Sequence, residues 1–397
     1  MQHMQASDLS HPAAAPASGD ALRPWHRAIR AQFFVLGGAM GAWGAQVPAV
    51  KQQYALDEQS LSVALLAAAG GAVLCLLTAG ALVARFGVRR CVLVAGMLMC
   101  AALVGVLLSS HYGVLLSLML LLGAASALFD VSINSDGNHL EEQARRKVMS
   151  GLHAMFSLGG MTGALAAAGL HRAGLPAPAQ LAGSALLLVP LLLWAAARMS
   201  SIRSDSEEWP APIAWPRGVL LWMGLLTALC MVAEGSMYDW SALFVQQERH
   251  TDAATGALGF AAFSAAMAIG RLFGDRVRER LSSTALLRLS GAVAALGMAL
   301  ALTVAAPWAA LLGFMLVGLG LANVVPVLFA AAAQVPGVAA AHGVAAVSSV
   351  GYLGFMVGPP LIGALARWSS LTTALWAVAL FAVLMAAAAR AVLTRAR

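Results

Sequence analysis

The sequence predicts an all-α integral membrane protein of twelve transmembrane helices, arranged as two six-helix bundles in parallel orientation. Of its 397 residues, 60% are hydrophobic and only 10% are charged, whereas soluble domains contain roughly 25% charged residues. Several uninterrupted apolar runs exceed the roughly 18 residues that mark a spanning helix. A pattern of glycines and apolar residues also returns after 195 residues without a gap.

The repeat is clearest in the glycine-rich stretch that begins at Gly123. The residues Gly123, Leu158, Gly159, Met161 and Gly163 return as Gly318, Leu353, Gly354, Met356 and Gly358. An even number of spans lies between the two copies, so both copies enter the membrane from the same side. The repeat therefore predicts two halves related by an axis along the membrane normal, which is how transporters with two parallel bundles are built.

The apolar runs place the spans at about 28–50, 59–84, 89–109, 114–138, 147–170, 179–198, 218–245, 254–274, 284–306, 308–333, 338–366 and 371–392. Residues 1–22 are expected to form a flexible cytoplasmic tail, because they contain no apolar h-region of a signal peptide. Residues 23–198 form the first predicted bundle. A linker follows at 199–217, where serines, charges and three prolines come together. Residues 218–397 form the second bundle and a short tail.

The distribution of basic residues predicts the orientation. Twenty of the 24 Lys and Arg residues fall on one side of the predicted spans, and the positive-inside rule places that side, with both termini, in the cytoplasm. Orientation thus explains the net charge of +7, and no nucleic-acid partner is expected. The four cysteines lie in or beside apolar segments without CxxC spacing, so no metal site, cofactor or disulfide is predicted.

The loop after the second span reads GALVARFGVRR from Gly80 to Arg90. It resembles the loop signature of the major facilitator superfamily, in which a Gly is followed by an acid, an Arg, a Gly and a basic pair. The matching positions are Gly80, Arg85, Gly87, Arg89 and Arg90. Ala84 occupies the position of the acid, whereas the corresponding loop of the second half, residues 270–280, contains Asp275. The resemblance implies that these loops join the cytoplasmic ends of neighbouring helices.

The resemblance extends over residues 25 to 393 and is strongest in three local runs. These are DVSIN at Asp130, HAMFSLGGMTGAL at His153 and EGSMYDWSAL at Glu234, which look like a sugar-permease-like branch of bacterial inner-membrane proteins. The resemblance implies a secondary transporter, expected as a monomer, that moves a small solute through the bilayer by alternating access. Proton-coupled uptake of a sugar-like or other small polar metabolite is the leading interpretation.

Glu234 is predicted to carry the coupling proton. It lies near the centre of the seventh predicted span, where Gly235 and Ser236 leave room for water. No Lys or Arg occurs in the same stretch, and an intramembrane acid needs a partner, a water-filled cavity or a proton. The alternative is a permanently protonated Glu234 that hydrogen-bonds to a backbone carbonyl.

Three further polar residues are candidates for the proton pathway: Asp130, Asp239 and His153. Asp130 and Asn134 share a helix face because they are four residues apart. Together with His153 they are expected to line the inward half of the central cavity and to share a proton or a solute hydroxyl. A purely structural hydrogen bond is the alternative for His153, and solvation at the membrane interface is the alternative for Asp239.

The candidates for solute binding are amides and aromatic side chains inside the predicted spans. They are Gln32, Trp43, Gln46, Asn134, Tyr238, Trp240 and Asn323. Amides and aromatic faces suit hydroxylated or mixed-polarity solutes. Helix packing is the alternative for each of them.

Other classes of function remain as alternatives. The chain lacks HExxH, GxSxG and the GxxxxGK[ST] phosphate loop, so neither an enzyme nor an ATP-driven pump is indicated. Proton-driven efflux of drugs or metabolites is possible, although the fifth span lacks the proline that is typical of drug exporters. A solute sensor with a transporter fold is the remaining alternative.

Overall fold

The computed structural model describes residues 19–199 and 216–394, so residues 1–18 of the predicted tail, most of the predicted linker (200–215) and the last three residues, 395–397, lie outside the described residues. The described chain forms helices α1 (Gly19–Gln53), α2 (Glu58–Phe86), α3 (Val88–Gly105), α4 (Tyr112–Ala144), α5 (Met149–Arg172), α6 (Ala177–Ala196), α7 (Val219–Glu248), α8 (Ala253–Arg280), α9 (Ser283–Thr303), α10 (Pro307–Leu321), α11 (Val324–Ala332), α12 (Ala340–Trp368) and α13 (Leu371–Thr394). Helix α1 begins at Gly19, inside the segment expected to be a flexible tail.

These helices form twelve spans, because α10 and α11 together make one, Pro307–Ala332. Eleven helical segments of the described chain are long and apolar enough to cross a membrane. Helix α5 is the exception, because its glycines and His153 lower its mean hydropathy. Helices α1–α6 form the first half and α7–α13 the second half. The terminal face is the side on which α1 begins and α13 ends, and the opposite face is the side of the α1–α2 turn.

The tenth predicted span, 308–333, is not one continuous helix, because it is broken at Ala322 and Asn323. Pro326 explains the break. A proline inside a helix has no N–H to donate to the carbonyl four residues earlier, which here belongs to Ala322, and its ring collides with that carbonyl. Helix α12 nevertheless continues through Pro359 and Pro360.

The 195-residue repeat is present in the packing between α4 and α2. A Cβ atom on Gly123 would lie 1.8 Å from the carbonyl oxygen of Ala68 on α2. In the second half, a Cβ atom on Gly318 of α10 would lie 2.4 Å from the carbonyl oxygen of Phe263 on α8. Both members of this contact are shifted by the same 195 residues, so the two helix pairs cross in the same register.

A similar correspondence holds for the packing of α5 on α1, although one member of that contact is shifted by 195 residues and the other by 194. A Cβ atom on Gly159 would lie 2.2 Å from the carbonyl oxygen of Phe34, and one on Gly354 of α12 would lie 2.6 Å from that of Ala228 on α7. The order and direction of the helices are retained in both halves, without inversion. The parallel repeat predicted from the sequence is therefore present in the helix packing, and glycine permits each close crossing.

The halves are joined at the opposite face by polar contacts. The Nζ atom of Lys51 lies 3.2 Å from Oε1 of Gln247, and the guanidinium of Arg367 on α12 bonds to Gln59 on α2. Helix α5 also packs along α8. In the described residues, no hydrogen bond or ion pair joins α4 to α10, α11 or α12. Helix α4 also does not pack closely against α10, α11 or α12 in the described chain, and the space between α4 and these helices is called the crevice below.

Replacement of Gly41 should test the glycine crossing of α1 and α5. A Cβ atom at Gly41 would lie 2.1 Å from the carbonyl oxygen of Gly160, whereas nothing lies within 4 Å of one at Gly70. We expect Gly41→Ala to destabilise the protein by about 1–3 kcal/mol through overpacking. Gly70→Ala should be neutral or stabilising, because Ala favours a helix by up to about 1 kcal/mol. Thermal unfolding in detergent measures both, and equal melting temperatures would contradict the close crossing.

Candidate functional site

Glu234 lies at the centre of α7 and forms an ion pair with Arg271 of α8. The Nη2 atom of Arg271 donates to Oε1 of Glu234 at 3.0 Å, and the hydroxyl of Tyr238, one turn further along α7, donates to the same oxygen at 3.0 Å. Only 14% of the Glu234 side chain and 15% of the Arg271 side chain are exposed. The second oxygen, Oε2, has no protein hydrogen bond in the described chain and is not completely buried.

The other arm of Arg271 reaches the first half of the protein. Its Nη1 atom donates to the hydroxyl oxygen of Ser157 on α5 at 2.8 Å. That hydroxyl donates in turn to the backbone carbonyl of His153 at 3.3 Å, so its lone pairs remain available to the guanidinium. One side chain thus holds an acid of the second half and a hydroxyl of the first half.

The prediction that Glu234 has no cation beside it is wrong. The sequence interpretation ended the eighth span at residue 274 and assigned Arg271 to the cytoplasmic side. Helix α8 continues to Arg280, which places Arg271 nine residues, or about 13 Å, from the end of the helix. Ser282, which caps the start of α9, was the signal that could have shown that α8 continues to this point. A pattern within one helix nevertheless does not show a partner on another helix.

The Tyr238 ring is held by phenylalanines from both halves. Its centroid lies 6.3 Å from that of Phe156 on α5, 5.4 Å from that of Phe260 and 5.3 Å from that of Phe263, the last two on α8. Two of these contacts are edge-to-face, an arrangement that aromatic pairs favour. The cluster fixes the ring in the position from which its hydroxyl donates to Glu234.

Asp130 and Asn134 form a second polar group on α4. The side-chain amide of Asn134 donates to the backbone carbonyl of Asp130 at 2.8 Å and to its Oδ1 atom at 2.9 Å. Tyr352 of α12 lies in the other half, is 45% exposed, and is close enough to Asp130 to interact with it electrostatically. These groups therefore lie in different halves and within electrostatic range of each other.

His153 does not join Asp130 and Asn134, contrary to the predicted constellation. Its ring packs edge-on against Phe33 of α1, with centroids 5.3 Å apart, and no hydrogen bond connects it to Asp130 or Asn134 in the described chain. The reason is topological. Helix α4 packs against α2 and α3, whereas α5 packs against α1 and α8, so consecutive helices do not bring their polar residues together.

Three of the predicted solute ligands on α1 are buried. The amide of Gln32 donates to the carbonyl of Leu192 on α6 at 3.1 Å, and that of Gln46 donates to Oε1 of Gln180, also on α6, at 2.7 Å. These two amides therefore hold α1 against α6 rather than line the crevice. Trp43 packs in the hydrophobic core.

The remaining candidates on the second half differ in exposure. Asn323 donates to the carbonyl of Gly270 at 3.0 Å, which fixes the α10–α11 break against α8. Trp240 is fully buried. Asp239 is partly exposed and makes no side-chain hydrogen bond or ion pair in the described part of the chain.

The residues of the basic motif lie at the end of α2 and the start of α3. Gly87 adopts a φ of +80°, which glycine tolerates and other residues rarely adopt, and its N–H caps α2 by donating to Val83. Gly80 lies within α2, and the side chain of Arg85 stacks over the ring of Phe86. Arg89 and Arg90 are exposed on the terminal face.

Asp275 does not correspond to the acid position of that motif. The 195-residue register of the helix contacts aligns Asp275 with Gly80, and it aligns Glu279 with Ala84. Asp275 lies inside α8, where its Oδ1 atom is 3.5 Å from Arg278 and 3.5 Å from the hydroxyl of Ser150 on α5. It therefore contributes a contact between the halves near the terminal face. No group of His, Cys, Asp and Glu side chains that could hold a metal ion occurs among the residues described.

Comparisons with known proteins agree with this architecture. The family model described as "Major Facilitator Superfamily" matches residues 30–341. An uncharacterized MFS-type transporter of Yersinia pestis is 36% identical over 91% of this chain and 94% of its own length. A variant of the nucleoside transporter NupG has a TM-score of 0.76 at 12% identity and covers 93% of this chain and 99% of its own. A D-xylose-proton symporter has a TM-score of 0.76 at 13% identity, covering 93% and 97%.

A double-mutant cycle should measure the ion pair. Arg271→Met leaves the buried carboxylate of Glu234 without its cation, and removal of one partner of a buried pair typically costs about 3–5 kcal/mol. The double variant Glu234→Gln, Arg271→Met removes both charges and should unfold at a higher temperature than Arg271→Met alone. Thermal unfolding of the three variants and the parent gives the coupling. Additive losses would show that the two side chains do not interact.

Proposed function

Because the chain belongs to the major facilitator superfamily, and is therefore a membrane transporter rather than an enzyme, we propose that it takes up a small hydroxylated solute together with protons. Uptake proceeds by alternating access across the bacterial inner membrane. The observation that carries the proposal is the arrangement of Glu234, which has one oxygen paired with Arg271 and the other open to solvent. A carboxylate in the middle of a membrane protein that is paired but reachable can exchange a proton.

The proposed solute site is the crevice between the halves. Asp130 and Asn134 offer acceptors and a donor from the first half, and Tyr352 offers a hydroxyl and a ring from the second. Such a mixture of hydrogen-bonding groups and aromatic faces suits sugars and nucleosides, which carry several hydroxyls on a compact ring. The D-xylose-proton symporter and the nucleoside transporter named above share this fold, which supports the same solute class here.

The proposed orientation places the terminal face in the cytoplasm. Most Lys and Arg residues belong to this face, as the positive-inside rule requires of cytoplasmic loops. The crevice then opens inward, and the contacts of Lys51 and Arg367 close the periplasmic side. Breaking these contacts and closing the terminal face would expose the same crevice to the periplasm, which is the alternation that transport requires.

Glu234→Gln should separate the proton from the solute. The amide resembles the protonated acid, so proteoliposomes should lose accumulation driven by an inward pH gradient but retain exchange at equal pH on both sides. The probes are radiolabelled D-xylose, D-glucose and uridine, and the probe that raises the melting temperature of the purified protein is taken forward. Asp136→Asn is the matched control. This acid bonds to Trp25 at 2.9 Å near the terminal face, and its variant should accumulate solute like the parent.

Gradient-driven accumulation that survives in Glu234→Gln would remove the proton-carrying role from this residue and transfer it to Asp130 or Asp239. Solute movement that is driven outward in exchange for inward proton movement would identify efflux instead. Binding without exchange in the parent protein would identify a sensor.

A further inference from the structure

We infer that Arg271 is a positioning residue through which the charge of Glu234 controls the contact between the two halves of the protein. The inference rests on the proton-carrying role proposed for Glu234. It adds a mechanical consequence, because a proton bound on α7 changes how α5 and α8 are held together. Nothing in the sequence pattern marks Arg271 for this task, since it follows a glycine near the end of an apolar run.

The geometry of the guanidinium supports this assignment. Its Nη2 atom holds Glu234 in the second half and its Nη1 atom holds Ser157 in the first half, at 3.0 and 2.8 Å. The guanidinium is planar and rigid, so its two terminal nitrogens keep a fixed relative position. A displacement of the group at one partner is therefore transmitted to the other partner. A lysine could not do this, because its single ammonium on a flexible chain does not form a fork.

The hydroxyl group of Ser157 is oriented to accept a hydrogen bond from Arg271. Its hydroxyl hydrogen is directed to the backbone carbonyl of His153, so the oxygen faces Arg271 as an acceptor. The side chain is 1% exposed, and no water competes strongly for this position. The bond is between a cation and a neutral group, which makes it weaker than the ion pair on the other arm.

Few titratable or charged groups face Glu234. They are Arg271 from α8, Tyr238 and Cys230 from α7 itself, and His153 of α5, which lies beside Arg271. Among the described residues of α1, α10, α11, α12 and α13, which also pack against α7, no charged side chain bonds to it. Protonation of Glu234 therefore removes the anion that holds Arg271 in place.

The charge of Glu234 determines which of the two bonds made by the Arg271 guanidinium is the stronger. While Glu234 is charged, the ion pair fixes the guanidinium on α7, and the fixed fork keeps Ser157, and with it α5, at one distance. When Oε2 takes up a proton, the pair becomes a weaker bond between a cation and a neutral acid. The guanidinium is then free to follow Ser157 or a solute oxygen, so α5 and α8 can change their separation. Proton binding is thereby linked to movement of the halves.

Distance measurements between spin labels should test this link. The native Cys75, Cys91, Cys100 and Cys230 are first replaced by Ala, and labels are attached through Gln143→Cys at the end of α4 and Gln334→Cys between α11 and α12. Both positions are exposed on the terminal face, one in each half. In the full-length protein in nanodiscs, we expect the distance distribution to shift between mildly acidic and mildly alkaline pH.

Three variants assign that shift. Glu234→Gln should hold the acidic distribution at every pH. Ser157→Ala removes one buried oxygen and should abolish the shift, although Glu234 can still titrate. Ser236→Ala is the matched control, because its hydroxyl bonds only to its own helix, at Val232, and it should keep the full shift. Arg271→Lys should behave like Ser157→Ala, because it retains the charge but not the fork.

A full shift in Ser157→Ala, or no shift in the parent, would overturn the inference. The proposed function is judged separately by uptake. If Glu234→Gln loses accumulation while the parent shows no shift, the proton-carrying role stands and the mechanical link fails. If the shift depends on Ser157 and on Glu234 while accumulation survives in Glu234→Gln, the link stands and the coupling proton is carried elsewhere.

Discussion

Hydrocarbon does not solvate charge, and this constraint governs the interior of the protein. A single charge at the centre of a spanning helix is costly on any scale, so each polar group there must find a partner or reach water. Glu234 does both, with Arg271 on one oxygen and solvent on the other. Asp130 uses the amide of Asn134 on its own helix. Each of these acids therefore has a polar partner, and each keeps one carboxylate oxygen without a hydrogen bond in the described chain.

Close helix crossings provide the frame in which these pairs lie. Because lipid tails are as apolar as leucine, helices in a membrane associate through packing, and small residues let their backbones approach. Gly123 and Gly159 make such crossings in the first half, and Gly318 and Gly354 make the equivalent ones in the second. Each half is thus held internally by close backbone contacts between its helices.

Much of the fold could be predicted from the sequence, whereas the site could be predicted only in part. Spans and the repeat are properties of local composition and offset, and the Asp130–Asn134 contact follows from helical spacing. The partner of Glu234 could not be found in this way, because Arg271 is 37 residues away on another helix. Gln32 was misinterpreted for a related reason. A polar residue in a span is visible in the sequence, but the helix that it faces is not.

The distribution of strong and weak contacts explains how such a protein can be both stable and mobile. The ion pairs Lys51–Glu58 and Glu234–Arg271 each lie within one half. The polar contacts that join the halves in the described chain, Lys51–Gln247, Arg367–Gln59, Ser157–Arg271 and Ser150–Asp275, each pair a charged group with a neutral one. Removing one partner of a buried ion pair costs about 3–5 kcal/mol, whereas a hydrogen bond to a charged group contributes about 1.5–3 kcal/mol.

Two conformations that exchange must differ by only a few kcal/mol. Ion pairs across the interface would hold one conformation, while charged-to-neutral contacts can be exchanged for water or solute, and so the halves can separate on one side as they close on the other.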